Sequence, residues 1–378
     1  MRVARMFLIL LIVTPVFADS LETTAPVAVI SPWTYWPNLP RSGRFYRPTG
    51  VKVGSKYFLY VQGGAYKGVS TGPGSETCTA IGEKALAFSA PWTSTGLRSQ
   101  FLYEKAVSPC NPATDVHYQT GSAFISSTDA KVKLTIDETE GGSDPRSGHF
   151  KRILLGSSTD GKNFTWIPFV KQSVIGGVTY SISQANLVQA TANSNWWGVF
   201  QWAYCTLCNN TDGIGFWNQG RMRVVMDATN IRGFIVYLLK SDGVTWGQVS
   251  DDGSFNFIPY NTFYPGARSI VNNNNTWEAW FIAGGTPNGG CDDGDPNSSS
   301  AFGYYTVSQG GSFGAIQAVT SSSRPMPTTN GFGRLDPFRM QDMNGARLVY
   351  SASTDHMCQT TGNDGFRGME ILVTEVNN

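Results

Sequence analysis

The chain has 378 residues and nearly balanced charge, with 28 lysines and arginines against 27 aspartates and glutamates and a formal net charge of +1. Nucleic acids bind concentrated basic surfaces, and the chain has no dense run of lysine or arginine, so nucleic acid is excluded as an expected partner. Only 15% of the residues are charged, whereas 13% are aromatic and 42 are glycine. This composition favours strands and tight turns.

Residues 1–18 have the features of a secretory signal peptide. Arg2 and Arg5 precede an apolar run at residues 7–13, and Val16-Phe17-Ala18 predicts cleavage after Ala18. The run is shorter than the about 20 residues that span a bilayer, and an uncleaved anchor is the alternative interpretation. We therefore predict an exported protein, secreted or periplasmic, with no membrane span. Residues 19–378 are expected to form a single domain and a monomer.

The six cysteines fit disulfide bonds in an oxidising compartment. Chain order suggests that Cys78 pairs with Cys110, Cys205 with Cys208 and Cys291 with Cys358, although six cysteines allow 15 connectivities. Cys205-Thr-Leu-Cys208 also has the spacing of a redox or zinc half-site. A local disulfide clamp is the favoured interpretation of that pair.

Five repeated units organise the chain. Each begins with a polar or proline-containing turn and a short strand, followed by a second strand rich in aromatic residues. The strand pairs are residues 47–53 with 56–64, 118–125 with 131–136, 183–188 with 196–202, 266–271 with 277–285, and 335–340 with 346–352. A third strand is predicted at residues 84–89, 152–157, 234–239, 302–307 and 369–374.

Asp-Gly turns follow two of these third strands. Ser158-Thr-Asp-Gly leads to Trp166, and Ser241-Asp-Gly leads to Trp246. Asp-Gly favours the positive-φ turns that join neighbouring strands. Units of about 65 to 80 residues predict an all-β fold, a five-bladed β-propeller of four-stranded antiparallel blades. Residues 27–31 are expected to supply the fourth strand of the last blade and to close the ring.

The repeated strands and turns resemble the five-bladed propellers of glycoside hydrolase families 43, 62, 32 and 117. The resemblance is carried by residues 48–63, 84–89, 152–166, 234–246 and 335–351. It implies a propeller whose active site lies at one mouth of the central channel. Sialidases are a second, weaker comparison, since their repeated turn has one more residue between Asp and Gly.

The resemblance does not supply a catalytic set. Those families use an Asp on the first inner strand, an Asp on the second and a Glu on the third. The corresponding segments here read Tyr46-Arg-Pro-Thr, His117-Tyr-Gln-Thr and Ser183-Gln-Ala-Asn, so none of the three carboxylates can be carried over.

Three residues are the candidate catalytic groups. Asp336, at the start of the last inner strand, stands where such a carboxylate would be, and a structural role at the Pro337 turn is the alternative. Glu138 could be a general acid opposite it, or part of a solvated acidic turn. A hydrolytic carboxyl pair would be separated by about 5–5.5 Å for retention or 6.5–9.5 Å for inversion. His117 could act as acid or base near neutral pH, as in family 117, or be structural.

A polar and aromatic funnel is predicted around these groups, in which sugar hydroxyls take hydrogen bonds and sugar faces stack on rings. The candidate substrate-binding residues are Arg47, Tyr118, Gln119, Gln184, Trp202, Tyr264 and Arg334. Tyr204 joins Trp202 as a possible stacking platform, and core packing is the alternative for both.

No cofactor is expected. The acidic loop Cys291-Asp-Asp-Gly-Asp295 offers carboxylates that could hold a structural Ca²⁺, although it lacks the EF-hand spacing. A disulfide-anchored acidic loop without metal is the favoured alternative.

The sequence therefore predicts an exported, carbohydrate-active propeller, similar to glycoside hydrolases, that acts on or binds a plant or microbial polysaccharide at the central funnel. Hydrolysis of O-glycosyl bonds is the leading activity. A propeller that binds carbohydrate or another surface without catalysis is the second hypothesis, and an extracellular structural protein is the third.

Overall fold

The computed structural model describes residues 27–30, 43–53, 56–65, 82–89, 99–101, 116–140, 149–161, 163–190, 194–205, 218–262, 267–273, 276–283, 301–307, 313–319, 332–340, 346–353 and 369–376. In these ranges the chain forms strands joined by turns and bends, and it forms no helix. The prediction of an all-β fold is confirmed. Accordingly, the described ranges contain no helix that could cross a membrane.

The strands fall into successive antiparallel groups in chain order. Group one contains β2 (Gly43–Val53), β3 (Lys56–Ala65), β4 (Gly82–Ser89) and β5 (Ser99–Phe101). Group two contains β6 (Val116–Ile125), β7 (Val132–Glu140), β8 (His149–Ser158) and β9 (Thr165–Lys171). Group four contains β16 (Ser269–Asn273), β17 (Thr276–Ala283), β18 (Ala301–Val307) and β19 (Phe313–Val319).

Group three has six strands rather than four. It contains β10 (Ser173–Ile175), β11 (Val178–Gln189), β12 (Trp196–Cys205), β13 (Asn218–Met226), β14 (Phe234–Leu239) and β15 (Trp246–Gln248). The sequence analysis did not predict β13, which lies between β12 and β14 in the sheet.

Group five joins the two ends of the chain. It contains β20 (Phe332–Met340), β21 (Ala346–Ser353) and β22 (Met369–Val376), and β1 (Val27–Ile30) pairs antiparallel with β22. The predicted pairing of the N-terminal segment with the last unit is therefore confirmed. One parallel bridge, between Arg44 and Met369, connects group five to group one.

One strand of each group contacts its counterparts in a closed cycle, and we call these five the first strands; in group three it is β11, which follows the three-residue β10. The order is β2, β6, β11, β16, β20 and back to β2. The second and later strands of each group therefore extend outward from a shared centre. This arrangement places the first strands, and whatever side chains they carry, around one axis.

Four of these first strands share the same irregularity. Each has three residue steps opposite two on its partner strand, which is the pattern of a one-residue β-bulge. The paired positions that flank the bulge are Tyr46 and Thr49 in β2, Thr120 and Ala123 in β6, Ser183 and Asn186 in β11, and Leu335 and Phe338 in β20.

Thr135 connects the bulges of groups two and three. Its hydroxyl accepts a hydrogen bond from the Ser122 backbone N–H at 2.8 Å and donates to the Ala185 carbonyl oxygen at 2.6 Å. A Cβ added at Gly121 would lie 2.3 Å from Thr135 Oγ1 and 2.7 Å from the Ala185 carbonyl oxygen. Glycine is therefore required at this position of β6, between Thr135 and the backbone of β11.

Other side chains of the first strands bond to the backbone of the next group. These contacts run from group one to group two, from two to three and from three to four. Ala123 N–H donates to Thr49 Oγ1 at 3.0 Å, Leu187 N–H to Ser122 Oγ at 2.7 Å, and Asn186 Nδ2 to the Ala267 carbonyl oxygen at 3.2 Å.

Apolar side chains fill the spaces between neighbouring groups. One cluster of described residues joins groups two and three and includes Phe124, Trp196 and Phe234. The rings of Phe124 and Trp196 meet edge to face with centroids 5.2 Å apart. Burial of such aromatic area is the main favourable term that holds the sheets together.

The predicted Asp-Gly turns form with the expected backbone geometry. Gly161 has φ +75° and Gly243 has φ +71°, as positive-φ hairpin turns require. The first of these turns also contacts group one, because the Tyr60 hydroxyl donates to the Gly161 carbonyl oxygen at 2.8 Å. Burial, followed by the nearby charge of Asp160, raises the pKa of Tyr60 above its usual range.

Thr135→Val tests the connection between groups two and three. The substitution keeps the side-chain shape but leaves the Ser122 N–H and the Ala185 carbonyl without their partner. We expect the free energy of unfolding to fall by about 1–3 kcal/mol, measured by urea denaturation. The exposed strand residue Thr165 gives the matched control, for which Thr165→Val should change stability by less than about 0.5 kcal/mol. Equal effects of the two substitutions would contradict the assignment.

Candidate functional site

The bulge in β11 is held by a buried carboxylate on the neighbouring group. Asp137, on β7, has no exposed surface. Its Oδ2 accepts a hydrogen bond from Ser183 Oγ at 2.7 Å, and the Gln184 backbone N–H lies 2.9 Å from both carboxylate oxygens. Hydrogen bonds to a charged acceptor are stronger than those between neutral groups. Asp137 therefore fixes the backbone of β11 at the bulge.

Gln184 has a backbone conformation that is unusual for its residue type. Its φ is 49°, in the left-handed region where residues with a Cβ are disfavoured by about 1–2 kcal/mol. Strained residues of this kind concentrate at functional sites. The two hydrogen-bond interactions of Asp137 with residues 183 and 184 offset the strain at this position.

Two buried acceptors lie beside this bulge. Gln184 Oε1 and Asn186 Oδ1 have no hydrogen-bond partner among the described residues. The Asn186 amide is oriented by its Nδ2, which donates to the Gln184 carbonyl oxygen at 3.1 Å and to the Ala267 carbonyl oxygen at 3.2 Å. A buried acceptor without a donor costs about 1–3 kcal/mol. These two oxygens are therefore sites where a hydroxyl or amide donor would be stabilised.

Three predicted residues lie at the same position of their bulges. Arg47, Gln184 and Asp336 each directly follow the last regular pair before the bulge, on β2, β11 and β20. The equivalent residue of β6 is Gly121, which carries no side chain. The fold thus brings three of the predicted site positions to one level of the ring of first strands.

His117, Tyr118 and Gln119 occupy a different level. From the sequence they were matched to Arg47 and Gln184, but the bulge of β6 lies farther along, at Gly121 and Ser122. All three therefore lie toward the start of β6, opposite Thr139, Glu138 and Asp137 of β7. Their side chains lie outside the described part of the structure, and their roles stay predictions.

Of two further substrate-binding candidates, the structure describes the backbone position of one and does not describe the other. Arg334 is on β20, where it pairs with Ala352, two residues before Asp336. Tyr264 lies outside the described residues. The side chains of Arg47, Asp336 and Arg334 are not described either, so the distance between the proposed catalytic groups stays untested.

Glu138 forms an ion pair with Arg152 on the next strand. Arg152 Nε lies 2.7 Å from Glu138 Oε1, and Nη2 lies 3.1 Å from Oε2. This is the bidentate geometry in which guanidinium and carboxylate bind most specifically. Both oxygens of Glu138 are therefore occupied by a cation in the structure, and its role as a general acid stays a prediction.

Three aromatic residues cluster at the end of β12. Tyr180, Trp202 and Tyr204 have ring centroids 6.0 to 6.4 Å apart. Trp202 is only 5% exposed, and its indole N–H donates to the Tyr260 carbonyl oxygen at 2.9 Å. Tyr204 is 49% exposed. Of the two possible stacking platforms, Trp202 and Tyr204, the ring that is accessible is that of Tyr204. Stacking by Trp202 stays a prediction.

No group of three or more potential metal ligands occurs among the described residues. The acidic loop at residues 291–295 lies outside them, as do the side chains of the six cysteines. The predicted disulfides and the Ca²⁺ alternative are therefore not tested by the structure.

Asp137 is the site residue that the sequence analysis did not single out. It directly precedes Glu138, which was the candidate. A signal was present, because Asp137 ends the run Leu134-Thr-Ile-Asp137, and aspartate is depleted within strands and rarely fully buried unless paired. Strand alternation also places it on the face opposite Glu138.

Comparison with known proteins gives structural matches but no sequence match. No family model matches the chain, and no curated protein sequence matches it. A family-43 glycoside hydrolase from Xanthomonas citri complexed with xylose is 13% identical, with 93% of this chain and 90% of that chain covered and a TM-score of 0.45. The catalytic domain of a family-62 α-L-arabinofuranosidase from Coprinopsis cinerea is 10% identical, with coverages of 94% and 97% and a TM-score of 0.48.

A thermostable family-43 glycoside hydrolase is similar to the same extent, at 13% identity, coverages of 87% and 89% and a TM-score of 0.43. The resemblance to families 43 and 62 that the sequence analysis stated is thus present among solved structures. At these identities it concerns overall structure, and no catalytic residue is transferred from these enzymes to this chain.

Asp137→Asn tests whether the buried carboxylate holds the β11 bulge. The amide keeps the shape but has one acceptor oxygen in place of two. We expect a loss of about 1.5–3 kcal/mol in the free energy of unfolding, measured by denaturant titration. Asp251→Asn is the control, because Asp251 is exposed and should tolerate the change within about 0.5 kcal/mol. A loss no larger than that of the control would refute the role of Asp137.

Proposed function

We propose that the five strand groups are the blades of a five-bladed β-propeller. The closed cycle of first strands supports this, because a propeller is a radial repetition of sheets around a central channel. The pairing of β1 with β22 supports it as well, since it joins the N-terminal segment to the last blade. Group three departs from the four-stranded pattern only by its two three-residue strands, β10 and β15.

The protein is proposed to act on a carbohydrate at one end of the channel. The observation that carries this proposal is the common bulge, which brings Arg47, Gln184 and Asp336 to one level around the axis. A guanidinium, an amide and a carboxylate together offer the donors and acceptors that sugar hydroxyls need. The buried acceptors Gln184 Oε1 and Asn186 Oδ1 add two places for hydroxyl donors.

Tyr204 is the proposed aromatic platform beside this site. Its ring is half exposed and is supported by Tyr180 and Trp202, so it is held in place without being covered. An amphipathic ring of this kind can contact the apolar face of a sugar while its hydroxyl stays in water.

In the leading version of the proposal the protein is an exported glycoside hydrolase. Asp336 would serve as the carboxylate that activates water or attacks the sugar, and His117 would protonate the leaving oxygen. His117 is preferred to Glu138 as the partner because both oxygens of Glu138 are paired with Arg152, although His117 lies four residues before Gly121, the β6 position equivalent to Asp336. Export, which would follow from the signal peptide at residues 1–18, belongs to the same proposal.

A binding function without catalysis is the second version. The specific observation in its favour is the same Glu138–Arg152 pair, because it engages a carboxylate that a hydrolase would need for proton transfer. In this version the ring of polar positions holds a glycan, and Asp336 accepts hydrogen bonds from its hydroxyls.

Asp336→Asn separates the two versions. Release of sugar from polysaccharides and aryl glycosides is measured with the protein lacking residues 1–18. A hydrolase should lose at least about a hundredfold of its activity in the variant, the usual scale for a general acid–base group. The control Asp251→Asn should retain full activity. Activity that survives Asp336→Asn would remove Asp336 from the mechanism, and no release by the folded wild-type protein would leave the binding version.

Tyr204→Ala tests the platform by a change in glycan affinity. We expect the dissociation constant for a bound oligosaccharide to rise about two- to tenfold in calorimetric titration, which corresponds to about 0.5–1.5 kcal/mol. Ile231→Ala is the control, because Ile231 is an exposed apolar residue on the turn between β13 and β14. An unchanged affinity in Tyr204→Ala would exclude stacking at this ring.

A further inference from the structure

A cavity lies between groups two and three, lined from the turn after β6, at the far end of that strand from His117. Its volume is about 370 Å³, within the range of small-ligand pockets. The turn after β6, the end of β8, the start of β12 and the turn after β13 surround it. We call this cavity the inter-sheet pocket; its polar lining residues are Ser126, Thr128, Asp129, Lys131, Lys133, Ser157, Thr165 and Arg232.

Arg232 supplies the central observation. Its side chain is only 7% exposed, yet its Nε and Nη2 have no hydrogen-bond partner among the described residues. Nη1 donates to the Phe169 carbonyl oxygen at 3.3 Å, and the guanidinium lies 5.2 Å from the centroid of the Phe234 ring. The backbone contact and the ring hold the group in place while the edge formed by Nε and Nη2 stays unpaired.

That unpaired edge has a definite chemical preference. The Nε–H and Nη2–H of a guanidinium are parallel and match two oxygens of a carboxylate, sulfate or phosphate. Burial lowers the pKa of Arg232, although the charges of Asp251 and Asp252 act in the opposite direction. An arginine nevertheless stays protonated in proteins.

Trp196, another lining residue of the cavity, carries a third unpaired donor. Its indole Nε1–H is buried and has no partner among the described residues, and the ring forms part of the lining. Unpaired buried donors each cost about 1–3 kcal/mol. Because all three unpaired groups are donors, the missing partner is an acceptor.

The balance of charge indicates that this acceptor is an anion. Lys133 is neutralised by Asp129, whose Oδ2 lies 2.6 Å from the ammonium, and Ser157 Oγ accepts a second hydrogen bond from it at 2.9 Å. Lys131 and Arg232 then leave the lining with an excess of two positive charges. Asp251, whose Oδ1 lies 3.8 Å from Arg232 Nε, reduces this excess to one.

Asp251 does not satisfy the guanidinium itself. The separation of 3.8 Å exceeds hydrogen-bond distance, and the carboxylate already accepts a hydrogen bond from Asn230 Nδ2 at 2.9 Å. Half of the Asp251 side chain is exposed, so solvent screens its charge more than that of a buried group. The Asp251 carboxylate therefore competes with an incoming anion for the charge of Arg232, but it does not take the place of that anion.

We propose that the inter-sheet pocket binds an oxyanion group, namely a carboxylate, sulfate or phosphate. Arg232 contacts two oxygens through Nε and Nη2, Trp196 Nε1–H donates to the same group, and Lys131 supplies the remaining charge. Leu155, Ile167 and Met226 form apolar lining against which the body of a larger ligand can pack. The pocket is separate from the proposed sugar site, so this proposal stands or fails independently of it.

Calorimetric titration of the purified protein at constant ionic strength tests the proposal. The probes are sodium sulfate, inorganic phosphate and sodium glucuronate, with glucose as the neutral counterpart. We expect at least one oxyanion to bind and glucose not to bind at this pocket. Tighter binding of glucuronate than of both inorganic ions would identify an acidic sugar as the source of the group, and the reverse order would identify a free inorganic anion.

Substitutions assign the binding to the pocket. Arg232→Gln should weaken the oxyanion at least tenfold, Trp196→Phe about threefold, and Asp251→Asn should strengthen it about twofold by removing a competing charge. Lys240→Gln is the control, because Lys240 lies outside the pocket, and Asp336→Asn at the sugar site should also leave the affinity unchanged. Arg232→Lys, which keeps the charge but loses the paired donors, replaces Arg232→Gln should that variant not fold.

The proposal is overturned by either of two results. One is that none of the three oxyanions binds at 10 millimolar, about the concentration at which a weak small-ligand site would be half filled. The other is that an oxyanion binds with the same affinity to wild type, Arg232→Gln and Arg232→Lys.

Discussion

The structure depends on how the first strands of neighbouring groups meet at the axis. Sheets can approach this closely only where the backbone groups released by a bulge find new partners. Thr135 supplies such partners between groups two and three. Asp137, two residues farther along the same strand, supplies others. Gly121 is the steric counterpart, since any side chain there would collide with the backbone of β11. The bulges of the first strands therefore determine the packing between the sheets, the hydrogen bonds between them and the position of the proposed site.

The same constraint determines what the site can present. A bulge directs one residue per strand out of the regular pairing, and in three strands that residue is Arg47, Gln184 or Asp336. At Gln184 the conformation is maintained against its own preference by the carboxylate of Asp137. The proposed ligand site rests on this strained polar residue, whose side-chain oxygen has no partner among the described residues.

Much of the architecture could be predicted from the sequence because the signals are local. Alternating strands and Asp-Gly turns predicted the all-β fold, the third strands of most units and the pairing of residues 27–30 with the last unit. Strand β13 was missed, although Met222 and Val224 alternate with Arg221 and Arg223 as in a half-buried strand. The bulge register could not be predicted, because a slip of one residue is visible only against the partner strand. Hence Tyr118 was aligned with Arg47, whereas Gly121 occupies that position.

The inter-sheet pocket follows from a different property of the same repetition. Among the described side chains, aromatic residues fill the gaps from group one to group four, and between groups two and three Trp196 and Phe234 lie beside Lys133 and Arg232. Aromatic faces attract the cations, which accounts for their burial, but they cannot accept the in-plane N–H bonds of the guanidinium or of the indole. The cation–π contacts thus stabilise Arg232 in the core while its paired donors remain open. The ring of Phe234 and the Phe169 carbonyl oxygen fix the orientation of Arg232, so the proposed oxyanion would meet a donor pair whose ordering has already been offset within the fold.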